Sequence, residues 1–309
     1  MTIQNQSPAA VLFNTRRLFA QARRFAGSAF LRREIAERMR EKLSLVRLEA
    51  NIVVDAGCGG AEDLVHLKQA FPEAHVLGLD ASEALLRSAM HSATAANTGI
   101  EKLLKKFLPM SWTTSNEPDL LCADFSELPF ASNSLDLIWS NLALHWHPQP
   151  DQVLKEWRRS LRVGGLCMFS CFGPDTMKEL RQAFAAIDDQ AHLIDFVDMH
   201  DFGDMAVHAG LATPVMDMEK ITLRYEKTQQ LLTDVRSLGG NPLPRSRLQY
   251  VDRVSYRRLI EYLEATRGSD GRIPLTIEVV YGHAFKPQAS KRENGESIVQ
   301  FMPRPTPPK

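Results

Sequence analysis

The stretch Val53-Val54-Asp55-Ala56-Gly57-Cys58-Gly59-Gly60-Ala61 decides how this chain is read. An apolar run reaches Asp55 and breaks into glycines. That is the pattern of a strand that turns tightly at its end and lets the backbone approach a ligand. A turn of this kind also fits a dinucleotide fingerprint, where a helix N-terminus holds a pyrophosphate. Here the third glycine of Gly-x-Gly-x-x-Gly is missing, because Glu62 stands three residues after Gly59. A carboxylate at that point repels a pyrophosphate and tolerates a ligand carrying an amino group and a sulfonium.

Outward from this turn the chain alternates strand and helix. Asn51 to Asp55 reads as a strand, and Glu62 to Phe71 as a helix stopped by Pro72. His75 to Leu79 is apolar and ends in Asp80, and Glu83 to His91 is helical after a Ser82 cap. Leu120 to Ala123 and Leu135 to Ser140 read as strands, followed by a helix from Gln152 to Leu161. Gly164-Gly165 turns the chain into a last strand, Leu166 to Phe172. This order predicts an α/β fold with a doubly wound, mainly parallel sheet over residues 51–172, interrupted by an insertion at about 91–119 that holds Lys105-Lys106.

Residues 173–286 are less periodic and read as an α+β extension on the substrate side. They hold helices near Thr176 to Ile187, Asp201 to Ala209, Thr228 to Ser237 and Val254 to Thr266, with short strands at Ile221 to Tyr225 and Ile277 to Tyr281. Residues 287–309, with Pro303, Pro305, Pro307 and Pro308, read as a disordered tail.

The 309 residues are 44% hydrophobic and 24% charged, enough apolar material for a core. Lys plus Arg and Asp plus Glu are both 37, so the basic excess of a nucleic-acid binder is missing. No apolar run is long enough to span a membrane. Cys58, Cys122, Cys167 and Cys171 are too few for a disulfide scaffold and lack the spacing of a metal site. They read as reduced core or near-core thiols, with no metal, which points to the cytoplasm. Residues 1–50 carry ten Lys/Arg against four Asp/Glu. An Arg-rich start can mark a transit peptide. Phe13, Phe19, Phe25, Phe30, Ile35 and Met39 recur through it at spacings that face a core, so it is read as a basic helical cap.

The ligand constellation lies at strand ends. Asp55, Gly57 and Gly59 form the first turn. Asp80, with Ala81 behind it, follows 25 residues after Asp55, and its carboxylate can accept both hydroxyls of a ribose. Asp124 can accept from an adenine amino group, while Phe125 offers a ring face. Asn141 and Leu142 close the strand that begins at Asp136. Singly, each aspartate reads as a helix cap. In order, the four elements point to S-adenosyl-L-methionine.

This set resembles the class I S-adenosylmethionine-dependent methyltransferases and their Rossmann-like fold. The segment Ser140-Asn141-Leu142-Ala143-Leu144-His145-Trp146 is similar to that of the malonyl-acyl carrier protein O-methyltransferases of biotin synthesis. The likeness runs from about Arg16 to Pro287 and includes Phe172-Gly173-Pro174-Asp175-Thr176 and Asp270-Gly271-Arg272-Ile273-Pro274-Leu275-Thr276. Those last two blocks also resemble a complex I assembly factor of the same fold, linked to arginine hydroxylation.

The resemblance implies methyl transfer to the free carboxylate of a malonyl thioester, on acyl carrier protein or coenzyme A. That carboxylate is already ionised at neutral pH, so no general base is required. A methyltransferase of quinone-type rings would want a base, and His145 could serve. A third reading is an assembly factor or protein hydroxylase acting on a respiratory-complex subunit. Candidate catalytic residues are His145, Trp146, Tyr225 and Arg181, with His145, Tyr225 and Arg181 as candidate clamps for the carboxylate. Three departures stand out: Ala61 where many members have Gly, Phe25-Ala26 where many have Tyr-Asp, and the 91–119 insertion. Arg16, Arg17, Arg23 and Arg24 are expected to face outward and dock the acidic carrier, with Lys105-Lys106 as a second patch.

Overall fold

A computed structural model describes residues 7–96, 118–243 and 251–288. Lys105-Lys106, most of the expected insertion and all but the start of the expected tail lie outside them. Three helices open the chain: α1 (Pro8–Phe19), α2 (Ala22–Ala26) and α3 (Ala29–Ser44). There follow β1 (Ile52–Ala56), α4 (Leu64–Ala70), β2 (His75–Asp80), α5 (Glu83–Ala96), β3 (Asp119–Cys122) and β4 (Leu135–Asn141). A 3-10 turn, Leu144–Trp146, leads to α6 (Pro150–Ser160) and β5 (Leu161–Phe172). The remaining elements are α7 (Lys178–Ala185), α8 (Met199–His208), β6 (Ala212–Tyr225), α9 (Thr228–Ser237), α10 (Arg253–Ala265) and β7 (Ile273–Phe285).

The strands form one seven-stranded sheet in the order β3-β2-β1-β4-β5-β7-β6. Neighbours from β3 to β5 pair parallel, and β7 runs antiparallel between β5 and β6. This is the α/β, mainly parallel architecture expected from the strand–helix rhythm. Successive strand side chains alternate between two cores. Val53, Leu137, Trp139, Leu166 and Met168 pack on one face beneath α3, α9 and α10. Val54, Ile138, Cys167, Phe169 and Cys171 pack on the other, beneath α6 and α8.

Several expectations change in the fold. Gly164-Gly165 forms an irregularity inside β5 instead of a turn before it, because Leu135 pairs with Leu161 and Leu137 with Leu166. The two late strands are much longer than the sequence suggested, at 14 residues for β6 and 13 for β7, and they complete the main sheet. The phenylalanines of the cap do not share one face: Phe13 is 67% and Phe30 46% exposed, while Ile35 and Met39 are fully buried. Cys122 is exposed, whereas Cys58, Cys167 and Cys171 are buried free thiols. Asp136 lies inside β4, where its carboxylate accepts from the backbone N–H groups of Asn51 (2.7 Å) and Ile52 (2.9 Å) and pairs with Arg162.

Candidate functional site

At the C-terminal ends of β1, β2 and β4, a cavity opens under α1 and α2. In an open α/β sheet the strand order reverses at this point, and the diverging connections leave a crevice. Asp55, Gly57, Gly59, Asp80, Ala81, Asp124, Phe125, Asn141 and Leu142 all line it. Of the four expected catalytic residues, Trp146 alone joins them.

The glycine turn needs its glycines for space and for backbone conformation. Gly57 has φ +83°, and a Cβ there would stand 2.3 Å from the Cβ of Ala143. Gly59 has φ +53°, and its Cβ would stand 2.9 Å from the Phe25 ring. Asp80 ties this turn to the next strand: its two oxygens accept from the N–H groups of Gly59 (2.9 Å) and Ser82 (2.7 Å). Each carboxylate oxygen keeps further acceptor capacity toward the cavity.

Sequence reading passed over Asp63, which follows Glu62 and precedes α4. It is buried, and its carboxylate accepts from Trp139 Nε1 (3.0 Å) and Asn141 Nδ2 (3.2 Å). Asn141 also donates to the Arg32 carbonyl (3.0 Å) and accepts from Ser170 Oγ at 2.9 Å, so its side chain is fully committed. Among the described residues nothing donates to the Asp55 carboxylate, and Asp55 is only 2% exposed. Burial pushes the Asp55, Asp63 and Asp80 carboxyls above the usual range, and the charges of Asp63 and Asp80 push Asp55 further. Two buried carboxylates, Asp55 and Asp63, and a half-buried third, Asp80, with little compensating charge form a site for a cation.

The cap closes the cavity from above. Arg16 turns inward and pairs with Asp124 at 2.7 Å, a correction to its expected place on the outer surface. Two hydrogen bonds from Ser126, helped by His147 and by the hydrogen bond from Arg16, outweigh burial and hold the Asp124 carboxyl below the usual range. The Arg32 guanidinium lies 3.5 Å from the centre of the Phe25 ring and reaches Glu62 at 3.2 Å. Phe19 packs edge-on against Phe25 and Trp146, with centroids 5.6 and 5.3 Å away. His147, also passed over, lines the wall beside Phe125, with its Nδ1 accepting from Gln149 N–H at 3.1 Å.

The other three expected catalytic residues lie elsewhere. The 3-10 turn carries His145 into the core, where its ring packs on Trp146, Phe172 and Phe196. Its Nδ1 accepts from Phe172 N–H at 3.4 Å, and burial pushes its pKa down to about 3. Tyr225 is buried at the end of β6, beside Asp234, and burial raises its phenol. Arg181 pairs with Asp195 (3.0 Å) and donates to the Ile194 carbonyl (3.1 Å), across α7 from the cavity. Among the described residues, no three His, Cys, Asp or Glu side chains stand close enough together to hold a metal ion.

A methyltransferase domain model matches residues 54–169, the span from β1 to β5. A malonyl-[acyl-carrier protein] O-methyltransferase of Laribacter hongkongensis is 41% identical over 280 residues, covering 89% of this chain and 90% of the relative. The chain belongs to that family. A second member, from Gallionella capsiferriformans, is 39% identical over 279 residues, covering 89% of this chain and 91% of the relative. The fold is shared more widely: the Bacillus subtilis YcgJ protein superposes with a TM-score of 0.55 at 13% identity, covering 81% of this chain and 98% of that one.

As in other methyltransferases, the cofactor is S-adenosyl-L-methionine, which supplies an electrophilic methyl group on a cationic sulfur. The cavity fits it. Asp55 and Asp63 would offer negative charge to its cationic groups, Asp80 acceptors to a diol, and Asp124 with Phe125 an acceptor and a ring face to a purine. Gly57 and Gly59 leave room that any side chain would fill.

Proposed function

We propose that this chain transfers a methyl group to the free carboxylate of a malonyl thioester carried by acyl carrier protein, an early step of biotin synthesis. What carries the reading is the alignment, over 89% of the chain, with enzymes named for that reaction. The chemistry of the cavity supports it. A malonyl carboxylate is ionised at neutral pH, so the protein has no proton to remove. Its task is to hold the carboxylate oxygen in line with the methyl group and to keep water out, which can contribute roughly 7–11 kcal/mol. Phe19, Phe25 and Trp146 supply an apolar lining for the second task. A phenol substrate would need a base, and His145, the residue expected to serve, is turned into the core.

The test is direct. Purified protein is given S-adenosyl-L-methionine and malonyl carrier, acetyl carrier or a quinol, and the products are weighed by mass spectrometry. A gain of one methyl on malonyl carrier, with none on acetyl carrier, is the expected result. Methylation of the quinol alone would overturn the reading.

A further inference from the structure

A second cavity adjoins the cofactor site, and Trp146 lines both. Its walls are apolar, with Phe172, Leu180, Phe196, Leu232 and Tyr256 among them. Arg24 of α2 and Arg236 of α9 are among its polar lining residues, with His192 and Asn241. Arg24 Nε donates to the Arg236 carbonyl at 2.6 Å, which holds the two residues together. Among the described residues, neither guanidinium has a carboxylate within ion-pair distance. Burial and the charge of Arg236 together lower the Arg24 pKa. Two neighbouring cations without a counter-charge oppose folding and favour an anion between them. Gly239 makes the wall possible: at φ +125°, any Cβ would stand 2.4 Å from Trp146. Behind the wall, His145 Nε2 is buried with no hydrogen-bond partner among the described residues.

We infer that this second cavity holds the phosphopantetheine arm of the thioester substrate, with Arg24 and Arg236 at its phosphate and Trp146 at the acyl end beside the cofactor. The assignment rests on the malonyl-thioester reading above. It names one occupant by chemistry: a slender amide-bearing chain with a phosphate at one end and a thioester at the other. An apolar channel alone would admit many ligands, whereas one with two guanidiniums that have no carboxylate partner among the described residues selects for an anionic end. Such an arm is common to carrier protein and coenzyme A, so both should use the channel.

Three substrates separate the contributions: malonyl carrier, malonyl-coenzyme A, and malonyl-N-acetylcysteamine, which has no phosphate. For Arg236→Ala, KM for the two phosphate-bearing thioesters is expected to rise at least about fivefold more than KM for the phosphate-free one, with kcat little changed. Arg236→Lys should recover part of that loss. Leu232→Trp, which fills the channel, should abolish turnover of all three while leaving S-adenosylhomocysteine affinity by calorimetry near that of the wild type, which also reports that the variant is folded. Equal KM changes on all three substrates for Arg236→Ala would overturn the phosphate assignment, and full activity of Leu232→Trp would overturn the channel. Coenzyme A binding by calorimetry, weakened by Arg236→Ala, reads the same contact with no malonyl group present. A wild type that binds coenzyme A yet methylates none of the thioesters would overturn the proposed function and leave the arm subsite standing. A wild type that does neither would overturn both.

Discussion

Where α7 meets β7, Glu179 and Glu278 are buried among donors that the fold itself supplies, as Asp63 is beside the cofactor cavity; Asp55, at the same cavity, is buried with no donor among the described residues. Glu179 accepts from Thr276 twice, through N–H (2.9 Å) and Oγ1 (2.5 Å). Glu278 accepts from Asp175 N–H (3.0 Å) and occupies the space that a Cβ on Gly173 would need. Neither glutamate shares its burial with a crowd of like charges. At the cavity, the charges of Asp63 and Asp80 bear on Asp55, and the three are brought together by the end of β1, the start of α4 and the end of β2. Buried charge that the chain satisfies is architecture; buried charge that it leaves open is a request for a ligand.

The largest test of that contrast is Asp80→Ala. Two charge-assisted hydrogen bonds to the cofactor ribose should be lost, about 3–6 kcal/mol in all, so calorimetry should show affinity falling at least about a hundredfold. Wild-type affinity in that variant would remove Asp80 from the site. Next is Glu179→Ala, which should act in the opposite sense. It leaves the Thr276 donors unpaired and costs about 2–3 kcal/mol in urea unfolding, while cofactor affinity stays within a factor of about two. If affinity collapsed as well, the two regions would not be separable.

Protons give two further tests. In the free protein Asp55 holds its proton to higher pH than it does when unfolded, so the folded state binds more protons there and stability falls as pH rises through that range. A cation in the cavity favours the carboxylate. Binding of S-adenosyl-L-methionine should therefore tighten with rising pH and release protons, and Asp55→Asn should flatten that dependence; a slope unchanged in the variant would count against the role of Asp55. His145 works the other way. With its pKa near 3 in the fold and about 6.5 unfolded, only the unfolded chain binds the proton between those values. Stability is therefore lost as pH falls from 6.5, by up to roughly 1.4 kcal/mol per unit. His145→Phe should remove this slope between pH 6.5 and 5 in urea titrations. A slope that persisted would mean that the ring is already solvated. The smallest effect belongs to Arg16→Ala. The Arg16 side chain is 51% exposed, so its pair with Asp124 is worth at most about 1 kcal/mol. The expected change is a few-fold faster cofactor release in stopped flow, with little change in fold stability.

Much of the fold was legible because its signals are local. β1, β2 and β4 are short apolar runs ending in Asp or Asn, and their helices carry their own stops. The same locality exposed Asp55, Asp80 and Asp124, each the polar end of an apolar run. β6 was cut short in the reading because it is an edge strand: from Ala212 onward its residues alternate between half-buried and exposed, and Asp217 and Glu219 interrupt any apolar run. Asp63 went unseen because its partners, Trp139 and Asn141, are 76 and 78 residues away. His145, a candidate carboxylate clamp, and a candidate base only for a quinone-type substrate, is instead carried into the core by a single turn of 3-10 helix. Arg181 and Tyr225 were chosen by residue type, and type does not say which face of an element a side chain takes.

The place of β7 between β5 and β6 bears on how this protein is made. On the ribosome, β6 is complete long before the strand that must pair with it, and β5 waits with one edge bare for the same partner. At roughly 5–20 residues per second, the interval from Tyr225 to Phe285 is on the order of 3–12 s. During that time two strands of 12 and 14 residues present unpaired backbone. A chain truncated before Ile273 would keep that state permanently. Its hazard would be clumping rather than lost catalysis, even though every residue lining the cofactor cavity would already have been synthesised.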